Sequence, residues 1–225
     1  HRFHGQGRGI VRNLCVAVLA VGALGLGGCA FQGGVNPNHF KYESRVYDGP
    51  IRGRALIEMP KAVQDEKFIG KPTSLTGAAT NLTLQIGEIT REAATLAFGN
   101  VFSDGVKVVE SASGQMGHVA VVRPRVTQFS YEYNALRNAG FAITPTAVVD
   151  LELVLAANSG KPIFTRSFPS GNVEGPTYFL SGSPGDEISK AAHQAVMKVM
   201  QDAADATHRE LKKEPPAGVK GDSAL

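Results

Sequence analysis

The stretch Ala147–Ala157, "AVVDLELVLAA", constrains the fold more than any other part of this chain. Val149, Leu151, Leu153 and Leu155 alternate with Val148, Asp150 and Glu152. An alternation of period two places the first set on one face of a β-strand and the second on the other. The turn residues "NSGK" (158–161) follow, and then "PIFTRSF" (162–168) runs back, so the two segments read as a hairpin. A hairpin with one fully apolar face has to find a cover for that face.

Two segments with helical period can supply it. In 88–102, Ile89, Ala93, Leu96, Ala97 and Val101 fall on one face. In 186–212, Ile188, Ala192, Ala195, Val196, Val199 and Ala203 do the same. Further strands are expected at 51–59, 81–87 (Leu82, Leu84 and Ile86 on one side), 106–111 and 118–133. In the last of these, Thr127, Phe129, Tyr131 and Tyr133 share a face, and Pro124 implies an edge position or a bulge. The expected fold class is α+β, an antiparallel sheet of about four to five strands with two helices packed on one face. Residues 60–77, 134–146 and 169–187 read as loops.

The N-terminus has a different character. Arg2, Arg8 and Arg12 are its charged residues before an apolar run at 14–26, and small residues follow. That is the three-part layout of a secretory signal, and the run is too short for a helix to span a bilayer, which takes about 20 residues. The net charge of +3 comes from these arginines. Without them 20 Lys+Arg stand against 20 Asp+Glu, so the remainder offers no basic footprint for nucleic acid. The expected organisation is a signal peptide at 1–28, a flexible tether at 29–45 rich in Gly, Asn and Pro, one α+β domain at 46–213, and a tail at 214–225.

At the end of the apolar run stands Leu26-Gly27-Gly28-Cys29, which resembles the bacterial lipobox. The resemblance implies diacylglyceryl transfer to the Cys29 thiol, cleavage before Cys29 and acylation of the new amine. Three acyl chains exceed the two signals that give stable anchoring. Ala30, in place of Asp, implies by enteric-type sorting the outer membrane over retention in the inner one, and the expected location is the periplasmic face of the outer membrane. Cys15 would leave with the leader. The mature chain then has no free thiol for a nucleophile, a metal site or an internal disulfide.

No chemistry-bearing motif follows. A phosphate loop and a nucleophile elbow are absent from the sequence. His193 and His208 are fifteen residues apart on the last helix, too far to share a metal, and no metal or other cofactor is expected. Asp150 and Glu152 could form an acid/base pair. They read better as the solvent face of the sheet, with Arg123, Arg125 and Arg166 as cross-strand partners. Tyr131, Tyr133, Tyr178 and Phe179 are the candidate partner contacts, since exposed aromatics suit protein docking.

The order of elements, closing on a long alanine-rich helix over about 80–210, resembles the small α/β outer-membrane accessory lipoproteins. These include the lipopolysaccharide-assembly, YajG-type and ABC-transport auxiliary lipoproteins. The resemblance implies a non-enzymatic accessory or assembly factor of an envelope complex. The alternative is a lipid- or glycan-binding periplasmic module, and a hydrolase at Asp150 and Glu152 is a third reading.

Overall fold

The computed structural model describes residues 30–135, 142–179 and 183–213. In chain order the strands are β1 (Ala30–Gly33), β2 (Arg54–Glu58), β3 (Phe68–Gly70), β4 (Asn81–Leu84), β5 (Val106–Val109), β6 (His118–Asn134), β7 (Ala142–Ala157), β8 (Pro162–Pro169), β9 (Val173–Glu174) and β10 (Tyr178–Phe179). The α-helices are α1 (Lys61–Gln64), α2 (Ile86–Phe98) and α3 (Pro184–Lys213), and a 3-10 turn covers Pro37–His39.

The hairpin of β7 and β8 forms as its pattern requires. Leu151 lies opposite Phe168 and Leu155 opposite Phe164. Val149, Leu151, Leu153 and Leu155 have no exposed surface. Each buried side chain of this size stabilises the fold by about 1.5–3 kcal/mol relative to leaving it in water. Ile188, Ala192, Ala195, Val196, Val199 and Ala203 of α3 are equally buried and belong to the same core. α2 and α3 pack on each other, α3 against β7 and α2 against β6. The alanines of both helices permit that close approach.

Two expectations about the sheet need correction. The large sheet has seven strands in the order β10-β7-β6-β2-β5, with β8 and β9 also on β7. The count exceeds four to five because the 16-residue β7 has an outer edge long enough for three partners. β10 pairs with its start, β9 with Thr146 and Ala147, and β8 with Asp150–Ala156. Nor is the sheet wholly antiparallel, since β2 runs parallel to both β5 and β6. A second sheet, β1-β4-β3, pairs β1 parallel to β4. Its strand β3, and α1 before it, lie in a segment expected to be loop. α1 sits so close to α2 that a Cβ on Gly87 would come within 2.1 Å of the Val63 carbonyl oxygen.

β6 carries a bulge between Val126 and Gln128. One extra residue there, Thr127, reverses the alternation for everything after it. Phe129, Tyr131 and Tyr133 therefore share the core side with Ala120 and Val122, and Thr127 itself is exposed. Pro124 pairs with Leu153 and lies beyond Val122, the last β6 residue in register with β2.

Candidate functional site

Residues 30–49 do not hang free of the body as a tether would. They are laid along α3 in the same direction as the helix, from its first turn to its last. The Cβ position of Gly185 lies 2.9 Å from Phe31 Cβ, so only glycine admits the strand there. Asn36 N–H donates to His193 Nε2 at 3.1 Å. Gln201 Nε2 donates to the Glu43 carbonyl at 3.0 Å. Arg45 pairs with Asp205, whose other oxygen accepts from Tyr47 OH at 2.9 Å. The Tyr47 and His208 rings meet at a tilt of 37° with centroids 4.7 Å apart, and His208 Nε2–H donates to the Gly49 carbonyl at 3.1 Å. We call this segment the strap. At about 1.5 Å per residue the 30-residue helix carries it over roughly 45 Å.

The strap has a polar lock near the N-terminal end of α3. His193 is fully buried, and His39 and Phe40 beside it are nearly so. The two imidazoles meet edge to face at 5.1 Å, and Phe40 closes on His193 at 4.8 Å. His193 Nδ1 lies 2.7 Å from the Ser189 carbonyl. That contact needs a proton on Nδ1, which leaves Nε2 as the lone pair that accepts from Asn36. Burial pushes the His193 pKa down to about 4, against the Ser189 hydrogen bond, which favours the charged form. Burial also lowers His39, opposed by Asp186 at 3.4 Å. Asn36 holds its own turn by accepting from Asn38 N–H at 3.1 Å, and its amide nitrogen lies 3.0 Å from His39 Nε2.

A cleft of about 440 Å³ opens beside this lock, between β1 and the first turns of α3. His39, Asp186 and Ser189 are among its lining residues. Both nitrogens of His193 are committed to structural hydrogen bonds, so that ring is not poised as a general base. Among the described residues no group of three or more His, Cys, Asp or Glu is placed to hold a metal ion.

Cys29 and the preceding Leu26, Gly27 and Gly28 lie outside the described residues, directly before β1. The four aromatic candidates separate. Tyr131, Tyr133 and Tyr178 are 2%, 3% and 8% exposed, so they are core residues and not surface contacts. The β6 bulge turns the first two inward. Tyr131 OH donates to the Gly70 carbonyl at 3.2 Å and Tyr133 OH to the Pro184 carbonyl at 3.4 Å. Burial raises the pKa of all three, that of Tyr178 to about 12. Phe179 alone of the four is open to solvent, at 71%.

The charged pairs also differ from expectation. Arg125 does lie opposite Glu152. Arg123, however, pairs with Glu58 of β2, and Arg166 reaches Glu210 of α3 at 3.3 Å from above the Phe164 ring. Asn36, His39 and Asp186 were not legible as a unit in the sequence. The one local signal was the Asn-Pro-Asn-His run, whose turn chemistry places His39 against the helix.

The architecture is that of a mixed α/β domain with a long C-terminal helix across a twisted sheet. No helix among the described residues is long and apolar enough to cross a membrane. No family model matches the chain, and no curated protein matches it. Solved structures do. A Xanthomonas campestris protein of the DUF330 family superposes with a TM-score of 0.50 at 12% identity, over 82% of this chain and 97% of that one. A Helicobacter pylori protein described as a neuraminyllactose-binding hemagglutinin homolog gives 0.41 at 14% identity, covering 78% and 98%. A minor lipoprotein from Acinetobacter baumannii gives 0.30 at 11% identity, covering 73% and 94%. The first of these likenesses establishes a shared fold.

Proposed function

We propose that this protein is a lipoprotein of the bacterial envelope, acylated at Cys29 and held at the periplasmic face of the outer membrane. There it acts as a non-enzymatic accessory or assembly factor of an envelope complex. The observation that carries the reading is the position of Leu26-Gly27-Gly28-Cys29. The tetrad ends an apolar, arginine-led leader and stands immediately before the first strand of the folded body. β1 begins at Ala30, so a cut before Cys29 removes no residue of a described strand.

A non-enzymatic role is supported by how the buried His193 imidazole beside the cleft is used. His193, Asn36 and Ser189 hold the strap in place. An accessory role fits a body confined to a surface, because confinement raises its effective concentration toward other membrane-bound components.

The test is fractionation of the native host with wild-type protein and a Cys29→Ser variant, followed by affinity purification after gentle solubilisation. Wild type should sediment with outer membrane and bring down defined envelope proteins, and the variant should be soluble in the periplasm. A wild-type protein found soluble would overturn the anchor. A protein that is anchored but purifies alone would overturn the accessory role.

A further inference from the structure

The strap changes what an anchor at Cys29 would do. A flexible tether would let the domain drift above the bilayer in any orientation. With Ala30 already in a strand, the lipid would be attached one residue from the folded body. This inference rests on the Cys29 reading and deepens it: one particular end of the fold must then face the lipid.

The topology identifies that end. Ala30 pairs with Asn81, and Phe31 packs on Gly185 in the first turn of α3. Tyr133, near the end of β6, reaches Pro184 at the start of the same helix. β7 begins at Ala142, which pairs with Phe179 of β10. The segment after β3 runs alongside the end of β6, with Thr73 N–H donating to the Tyr131 carbonyl at 2.8 Å and Tyr133 N–H to Ser74 Oγ at 3.0 Å. Leu75 comes next and turns over, with Ala78 N–H bonded to its carbonyl at 3.1 Å, before the chain returns to Asn81. The starts of β1, β4, β7 and α3 and the end of β6 thus meet at one pole.

Two large apolar side chains stand out from that pole into solvent. Leu75 is 95% exposed and Phe179 is 71% exposed. Exposed apolar side chains of this kind are what a bilayer interface accepts. Lys190 pairs with both Asp186 at 2.8 Å and Glu187 at 2.9 Å, which offsets part of the acidic charge at the start of α3. Two other exposed apolar residues serve as references. Met116 precedes β6, whose 17 residues at about 3.3 Å each put it roughly 50 Å from the pole. Val46 lies beside the last third of α3, between Arg45 and Tyr47.

We propose that the pole carrying Leu75 and Phe179 is a membrane-contact surface, seated on the lipid headgroup region by the acyl chains at Cys29. The partner is a phospholipid bilayer, not a soluble protein.

The test uses the full lipoprotein in palmitoyl-oleoyl phosphatidylcholine vesicles. Single cysteines are introduced as Leu75→Cys, Phe179→Cys, Val46→Cys and Met116→Cys and labelled with a nitroxide. A thioether at Cys29 takes no label, so the wild type is the internal check. The ratio of collision with oxygen to collision with a water-soluble nickel chelate should be several-fold higher at 75 and 179 than at 46 and 116. If wild type stays unlabelled and all four sites are equally water-like, the membrane-facing pole is wrong while the anchor stands. If wild type itself takes the nitroxide, Cys29 is a free thiol, and the anchor and the pole fall together.

Discussion

The lock between strap and helix makes a quantitative prediction about acid. His193 is fully buried, with Nδ1 on the Ser189 carbonyl and Nε2 accepting from Asn36 N–H. Its pKa is lowered from 6.5 to about 4. In the unfolded chain the ring takes up a proton as pH falls through 6.5, and in the native state it resists until about 4. Stability is therefore undiminished above 6.5 and falls as the pH drops through that window. At 1.36 kcal/mol per pKa unit the full loss is about 3 kcal/mol, of which about 2 kcal/mol has accrued by pH 5. Protonation would also put an N–H on Nε2 facing the Asn36 N–H, so the strap should loosen before the body does.

The assay is urea unfolding at pH 7.5 and pH 5 for wild type and His193→Gln, whose amide oxygen can replace the Nε2 acceptor without titrating. His39, whose pKa is also lowered by burial, contributes in the same direction and is common to both proteins. Wild type should lose about 2 kcal/mol more than the variant. Equal losses would refute the reasoning. So would a His193 ring that titrates near its ordinary value in a proton NMR titration of wild type, a measurement that does not depend on the variant folding.

Other consequences are checked by simpler means. Gly87→Ala pushes a methyl into the Val63 and Gln64 carbonyl oxygens and should cost about 1–3 kcal/mol in thermal or chemical unfolding; no loss would mean α1 is not seated on α2. Leu153→Ala empties a fully buried position under α3 and should cost about 2–5 kcal/mol by denaturant titration. Asp205→Ala removes the acceptor shared by Arg45 and Tyr47. Because that pair is partly exposed, global stability should change by no more than about 1 kcal/mol, while amides 42–48 should exchange faster with deuterium. Tyr131→Phe should cost about 1 kcal/mol, for the hydrogen bond to Gly70, and leave partner capture unchanged because the ring is internal.

The parts of the fold legible in the sequence are those whose period runs long enough to exclude alternatives. β7 alternates without a break from Ala147 to Leu155, and the α3 stripe repeats from Ile188 to Ala203. Both helices and the hairpin followed directly. β6 shows the limit of such patterns. Its residues on either side of Thr127 each alternate correctly, and the bulge between them depends on pairing with β7, which the strand's own sequence does not encode. That single extra residue separates a surface aromatic row from a buried one. The strap was hidden for a different reason. Gly33, Gly34, Asn36 and Pro37 suit an irregular path, and local composition cannot tell a free path from one held by a distant helix. Its order comes from His193, Gln201, Asp205 and His208, more than 150 residues away. Short strands such as β3 and β9 form only as additions to edges that longer strands provide.

The proposed anchor and the proposed membrane-facing pole both depend on the chemical state of one sulfur beside one strand. Intact-mass analysis of the protein extracted from its native membrane reads that state directly. The predicted result is a chain that begins at Cys29 and carries a diacylglyceryl thioether and an N-acyl group. A chain that retains the arginine-led leader, or one with an unmodified Cys29, would contradict it.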